Sequence, residues 1–344
     1  MATPIVTAVI PTFRRSALVK RAVLSVLAQT RPELRVLVCD NASDDDTGEV
    51  VTELARRDAR VIYHRHPENK GAYFNFQYGV DAVQSEYFSI LSDDDLLLPE
   101  FYRRGVAAFE ADPTLGFYCS QAVIYDAQRG THRLRPSRHW RAGRHAAGES
   151  VRLMTEQHFV WTSCLFRREV RDAVGPFEMV PMGDVLFLAK AAALFPFVVE
   201  LVPGALFTET GANFSHTMPV AELNRSWELG RSWVATLPGQ SAVDREALLS
   251  VLDWSLKTVA HGMIRAAAEG GDWARFQEAA DYLLARGDLS ARRRARIAFA
   301  RKGGEGSWQF GAVRLMTRLQ SGYKRRRSSG WKTMSVEDVL AQYR

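Results

Sequence analysis

The chain has 344 residues, 47% of them hydrophobic and 24% charged, an ordinary globular composition with room for one large domain and a smaller one. Its longest candidate apolar stretch, Ala191 to Val199, contains Pro196 and stops at Glu200, far short of a membrane span. The formal net charge of +6 is unevenly spread: residues 1–219 carry 24 Lys or Arg against 26 Asp or Glu, residues 220–344 carry 21 against 13, and residues 290–344 alone carry 14 against 3.

Ile5 to Ile10 reads as a buried strand running into Pro11, without the basic leader or small-residue cleavage site of a signal peptide. Cys39, Cys119 and Cys164 are an odd set with no CxxC spacing, so they are expected to be reduced core residues of a cytosolic protein rather than a disulfide or zinc framework. After the loop PTFRR, Leu18, Ala22, Val23, Val26 and Leu27 recur at helical spacing. Val36 to Cys39 is a second strand, closed by Asp40 and Asn41, and NASDDDTGEVV supplies oxygen-bearing caps before a helix from Thr47 to Arg57. Val61 to Tyr63 is a third strand, HPENKG a turn, and Ala72 to Val83 helical, with Tyr73, Phe74 and Phe76 near its start.

The fourth strand, Tyr87 to Leu91, delivers three consecutive carboxylates, Asp93, Asp94 and Asp95. Adjacent carboxylates repel one another, and at the end of a buried strand they call for a positive charge between them. A divalent cation with a preference for oxygen ligands, Mn²⁺ or Mg²⁺, answers that need and can bridge the site to a substrate's phosphates. The plain alternative is an acidic turn capping the helix that begins near Pro99.

Four strand and helix alternations with connections too long for hairpins predict a parallel sheet wound with helices. Ligands of such sheets bind beyond the carboxyl ends of the strands. Pro11 to Arg14, Asp40 with Asn41, and Asp93 to Asp95 are therefore expected to line one crevice. Neither GxGxxG nor GxxxxGK[ST] occurs at the first turn, so a dinucleotide fingerprint and a P-loop are absent.

Further on, Gly116 to Tyr125 is expected as a strand and Thr131 to Gly148 as a basic loop at the mouth of the site. Phe159 to Phe166 is read as a strand and Arg167 to Val174 as a short helix. Val185 to Leu194 is read as a buried helix, with strands at Phe197 to Val202 and Ala205 to Glu209. From about residue 220 the pattern becomes helical: Leu223 to Leu237, Arg245 to Glu269, Asp272 to Arg286 and Ala291 to Arg301 are separated by Pro238-Gly239, Gly270-Gly271 and Gly287. Two domains are expected, residues 1–219 and a helical appendage of residues 220–344.

The ordered set TAVIPTFRR, VLVCDNASDDDT, ENKGAYFNFQYG, FSILSDDDLLLP and GPFEMVPMGD resembles the family 2 glycosyltransferases, which have the nucleotide-diphospho-sugar transferase fold of type A. The resemblance covers residues 5 to about 215 and leaves the helical tail outside. It implies an α/β fold, a Rossmann-like mixed, mostly parallel sheet wound with helices, binding a nucleotide-diphospho-sugar donor. By this resemblance Asp40 is similar to the Asp that reads a pyrimidine base. Pro11, Thr12, Phe13, Arg14 and Asn41 would lie beside the nucleotide, and Asn69, Lys70 and Gly71 match the turn that passes close to the donor. Asp93 and Asp95 are the metal and diphosphate pair, and Asp94 is placed toward the ribose or donor sugar.

Asp184 matches the family's base, although the usual Glu-Asp is here Gly183-Asp184, and Glu178 is the reserve. His216 stands where relatives of the fold sometimes give a histidine to the metal. The resemblance implies a metal-dependent inverting transfer from a UDP- or dTDP-linked donor to a hydroxyl acceptor that is a saccharide, lipid-linked or a small molecule. The rival readings are a nucleotide-sugar-binding scaffold without catalysis, and a sugar-phosphate nucleotidyltransferase, whose Gly-rich first loop PTFRRSALVK lacks.

Trp161 is placed either against an acceptor sugar or in the core. His132, His139 and His145 have no metal-ligand spacing. The basic tail, with Lys324 to Arg327 and Trp308, Phe310, Tyr323 and Trp331 interspersed, is read either as a peripheral contact for an anionic membrane or polyanionic acceptor, or as a solvated helical face. No nucleic-acid recognition motif accompanies the charge.

Overall fold

The computed structural model describes residues 5–135, 140–148, 151–154, 159–176, 183–209, 218–236, 242–287, 289–326, 332–333 and 335–342. His139, Glu178, His216 and Trp331 lie outside the described residues, as do the side chains of Tyr323 and Lys324 to Arg327. The first units follow in order as β1 (Val6–Thr12), α1 (Ser16–Leu27), β2 (Leu34–Asp40), α2 (Thr47–Arg57), β3 (Val61–Arg65), α3 (Ala72–Asp81) and β4 (Tyr87–Ile90). β1 pairs in parallel with both β2 and β4, and β2 with β3. Both sheet faces are covered, because successive side chains point to opposite sides. Val9, Phe88 and Ile90 enter the apolar cluster on one face, whereas Ala8, Ile10 and Tyr87 enter that on the other. Gly79 lets α3 lie close on the sheet, since a Cβ there would collide with Val9 Cγ1 and Cys39 Sγ.

Beyond β4 the sheet becomes mixed. β5 (Leu96–Leu97), α4 (Phe101–Ala111), β6 (Phe117–Asp126), β7 (Thr131–Leu134) and β8 (Gly143–His145) are followed by α5 (Val151–Met154), a 3-10 turn (Trp161–Ser163) and β9 (Cys164–Arg167). Next come α6 (Arg168–Val174), α7 (Gly183–Leu194) and β10 (Phe197–Glu209). β9 lies antiparallel between β4 and β6, and β10 runs parallel to β6 and antiparallel to β5 and β8.

Three expectations change here. The segment Thr131 to Gly148 contains two strands, β7 and β8, that pair with β6 and β10. The strand expected from Phe159 begins only at Cys164, because Trp161–Ser163 forms the 3-10 turn first. The two strands expected between Phe197 and Glu209 are one, with shifts of register between Glu200, Pro203 and Ala205, since Pro203 donates no ladder bond. All three cysteines are buried free thiols, and Cys119 and Cys164 face each other across β6 and β9 with sulfurs 3.4 Å apart.

The C-terminal helices are α8 (Ala221–Thr236), α9 (Ala242–Gly270), α10 (Trp273–Ala285), α11 (Ala291–Gly303) and α12 (Trp308–Arg326). Their apolar side chains, among them Leu223, Val251, Met263, Phe276 and Phe310, belong to the same cluster as Val9 and Phe88. The end of the chain returns to the sheet. β11 (Lys332–Thr333) pairs with β7, and α13 (Val336–Gln342) sets Val336 and Val339 against Leu96, Leu98, Val123, Tyr125 and Leu206. Among the described residues no helix is long and apolar enough to cross a membrane.

Candidate active site

The loops leaving β1, β2 and β4 meet at the carboxyl edge of the parallel strands. Thr12, the last residue of β1, donates its hydroxyl to Asp93 Oδ2 at 2.8 Å, and its carbonyl accepts the Asn41 N–H at 3.0 Å. Two residues in these loops, Arg14 (φ 53°) and Ala42 (φ 62°), have left-handed backbone, a conformation that costs a non-glycine residue about 1–2 kcal/mol. Hydrogen bonds hold it: the Arg14 N–H donates to Ser43 Oγ, and Ser43 donates its own N–H and hydroxyl to Asp40 Oδ1.

The three acidic residues have different surroundings. Asp93 is buried and is met by Thr12 and by Arg15 Nη1 at 3.0 Å; the same nitrogen reaches Asp94 Oδ2 at 3.2 Å. Burial pushes the Asp93 carboxyl up to about 6, although Arg15 and Thr12 oppose the rise. Asp95 faces inward, accepting the Thr162 hydroxyl at 2.6 Å on one oxygen and the Thr208 N–H at 2.8 Å on the other. Burial and the neighbouring Asp94 hold its carboxyl well above the usual range. Asp95 thus ties the acidic turn to the 3-10 turn and to β10. Asp94 is the more open of the three, with its side chain 20% exposed.

On the second loop, Asp40 is fully buried, and Tyr63 donates to its other oxygen at 2.6 Å. Asn41 joins the third loop, donating to Asn69 Oδ1 at 2.8 Å and accepting the Lys70 N–H at 3.0 Å. Asn69 in turn accepts the N–H of Gly71, whose φ of 88° suits glycine at the start of α3. Asn75 of α3, buried, donates its amide to Cys39 O at 2.8 Å, and its Oδ1 accepts from His66 Nε2 at 3.0 Å.

Asp184 sits in the first turn of α7. Burial raises its carboxyl, opposed by the N–H groups of Val185 and Asp184 itself. Burial, with Asp184 and Glu222 both within electrostatic reach, also raises the Tyr73 phenol. Asp184 is thus within electrostatic reach of Tyr73 in the first turn of α3. A carboxylate raised toward neutrality is suited to accept a proton.

The other residues singled out in the sequence have the following neighbours. Arg14 pairs with the exposed Asp44, its Nη2 2.6 Å from Oδ2, and lies over the Phe13 ring at 4.9 Å. Arg15, the next residue of PTFRR, is the one that spans the acids. Pro11 is buried in β1. Lys70 Nζ lies 3.6 Å from Glu68 and 5.1 Å from the Phe74 ring centroid. Trp161 packs on Phe76 at 4.7 Å. His132 is buried, and His145 stacks on Phe197. Sequence reasoning passed over Arg15, Ser43, Tyr63, Asn75, Thr162 and Thr208. Only Arg15 had a local signal, its place in the same loop.

Among the described residues no three His, Cys, Asp or Glu side chains close into a metal cage. The acidic turn nevertheless fits a cation, because a guanidinium already bridges Asp93 and Asp94 and the donors are carboxylate oxygens. Such a partial set suits an ion that shares its shell with phosphates and water.

The family model described as Glycosyl transferase family 2 matches residues 7–175. A GalNAc(5)-diNAcBac-PP-undecaprenol beta-1,3-glucosyltransferase of Campylobacter jejuni is 35% identical over 96 residues, 28% of this chain and 31% of that one. Glycosyltransferase GlyA of Streptococcus pneumoniae is 22% identical over 33% of this chain and 17% of its own. The chain thus matches less than a third of the length of these curated relatives. Among solved structures, Staphylococcus aureus TarS 1-349 in complex with UDP-GlcNAc aligns with a TM-score of 0.62 at 15% identity, covering 92% of each chain. A mannosyltransferase from Pyrobaculum calidifontis, in complex with GDP-Man and Mn2+, aligns with a TM-score of 0.51 at 17% identity over 94% of this chain and 88% of that one. Residues 7–175, just under half of the chain, thus carry a glycosyl transferase family 2 domain, on a mixed sheet of the type A nucleotide-diphospho-sugar transferase fold.

Proposed function

We propose that the protein is a metal-dependent inverting glycosyltransferase that moves a sugar from a UDP- or dTDP-linked donor to a hydroxyl acceptor. The observation that carries this reading is the acidic turn at the carboxyl edge of the sheet, held from behind by Thr162 and Thr208 and bridged in front by Arg15. The solved neighbours that hold UDP-GlcNAc and GDP-Man with Mn2+ support a nucleotide-sugar donor. The name of the Campylobacter jejuni relative supports a lipid-linked saccharide among the acceptor classes.

Asp93 and Asp94, on a turn anchored from behind by Asp95, would hold Mn²⁺ or Mg²⁺, which supplies positive charge for a leaving diphosphate. Asp40 and Asn41 would orient the nucleotide, with Thr12 fixing Asp93. Asp184 would take the proton of the acceptor hydroxyl as its oxygen attacks the anomeric carbon. The bond from that carbon to the diphosphate breaks on the opposite face, and its electron pair leaves with the nucleoside diphosphate. One base and one in-line displacement give inversion.

The test is release of nucleoside diphosphate from panels of UDP-, dTDP- and GDP-sugars, with Mn²⁺ or with EDTA. Metal-dependent release from one nucleotide class is expected. Binding without release in the presence of acceptor mixtures would favour the scaffold, and formation of a nucleoside triphosphate from diphosphate-sugar and pyrophosphate would favour nucleotidyl transfer.

A further inference from the structure

The hairpin of α11 and α12 carries more cations than those that bond within the fold, as Arg296, Arg301, Arg314 and Arg318 do. Between Ala291 and Arg326 the sequence holds eleven Lys or Arg and one carboxylate, Glu305. Arg292, Arg293 and Arg294 are exposed in the first turn of α11, where the positive end of the helix dipole disfavours cations. Helix stability does not account for them.

Exposed apolar side chains lie beside these charges. Trp308 is 72% exposed, Leu319 64%, Leu315 59% and Phe299 37%. Residues 308, 315 and 319 are seven and four apart, hence on one side of α12. Phe299 of α11 meets Trp308 edge-on at 5.4 Å, so the stripe continues across the pair. The packing side of α12 is a different one, since Phe310 and Val313 are buried in the core. Large apolar side chains gathered in this way, rather than scattered singly, mark an interaction surface.

We propose that this face docks on an anionic lipid membrane, with Trp308, Leu315 and Leu319 entering the headgroup boundary and Arg292, Arg293 and Arg294 of α11 facing lipid phosphates. Charge complementarity selects this occupant. A second copy joined about a two-fold axis would set the same cationic face against itself, which like-charge repulsion opposes. Nucleic acid would answer the charge but not Leu315 and Leu319, since bases stack on aromatic and guanidinium planes. With no spanning helix among the described residues, the contact is peripheral, combining apolar insertion with attraction to anionic lipid. The inference does not depend on the transferase reading.

Flotation of the full chain with vesicles of phosphatidylcholine, with or without phosphatidylglycerol, tests it. Binding to the phosphatidylglycerol vesicles that weakens in high salt is expected. Each Arg→Gln change at 292, 293 and 294 should lower partitioning on the order of fivefold, and Leu315→Glu with Leu319→Glu should abolish it. Thermal unfolding run in parallel should stay unchanged in both variants, since the altered side chains are exposed. Equal binding to both vesicle types, or unaltered binding in both variants, would overturn the proposal. So would wild-type dimers that Leu315→Glu with Leu319→Glu dissolves, or preference for a single-stranded oligonucleotide over the vesicles.

Discussion

At the strand ends each buried carboxylate is met by protein donors, whereas at the start of α11 Arg292, Arg293 and Arg294 are exposed to solvent. Asp93 has Thr12 and Arg15, Asp95 has Thr162 and Thr208, and Asp40 has Ser43 and Tyr63. The physical reason is burial. An unpaired charge taken out of water costs several kcal/mol, while an exposed one costs almost nothing. The crevice therefore holds its charges in fixed positions before any ligand arrives, and the start of α11 keeps its charges available to a partner.

The comparison predicts large effects where charge is fixed. Asp184→Asn should lower transfer by about 10²–10⁴-fold, the range of a general base, with diphosphate binding retained; unchanged turnover would remove Asp184 from the chemistry. Next in size is the cost of keeping Asp93 ionised. In EDTA its folded pKa of about 6 lies above the ordinary 3.8, so between these values the folded chain binds more protons than the unfolded one. The contribution of Asp93 to stability should be greatest below about 4, fall as pH rises to about 6, and then level, by something on the order of 2–3 kcal/mol. Denaturant unfolding across this range should differ in slope between the wild type and Asp93→Asn by that amount.

Asp40→Asn should cost about 1–3 kcal/mol, because the amide brings N–H donors toward groups that already donate. Equal stability in a thermal melt would mean that Ser43 and Tyr63 simply turn away. Smallest is Val339→Ala, at about 1–2 kcal/mol. It removes packing against Leu96, Leu98 and Leu206, the side of the acidic turn remote from Arg15. If Val339→Ala also weakens nucleotide binding, the returning C-terminal segment helps position the turn.

Much of this crevice could be read along the chain because each strand end is marked locally. Pro11 and Thr12, Asp40 and Asn41, and the acidic triplet follow short apolar runs, and a parallel sheet brings such ends together. The partners of Asp95 had no such mark. Thr208 is 113 residues away, and its contact arises only because β10 runs past both β5 and β6. The bridge that Arg15 makes between Asp93 and Asp94 had only a faint mark, its place in PTFRR after Arg14, where the backbone is left-handed. The return of β11 and α13 was hidden behind a basic, helix-like tail, whose few packing residues, Val336, Val339 and Leu340, make too short a run to signal a core.

The most direct test of the donor site is calorimetric titration of UDP, dTDP and GDP into the full chain, with Mn²⁺ and with EDTA, comparing wild type with Asp94→Asn. Asp94 is preferred to Asp95 because its side chain is the more open and holds no distant strand in place. Binding of one diphosphate that needs the metal and is lost in Asp94→Asn, with unchanged unfolding temperature, is the predicted result. Absence of binding with metal present, or equal binding in EDTA and in Asp94→Asn, would contradict a metal-assisted donor site at the acidic turn.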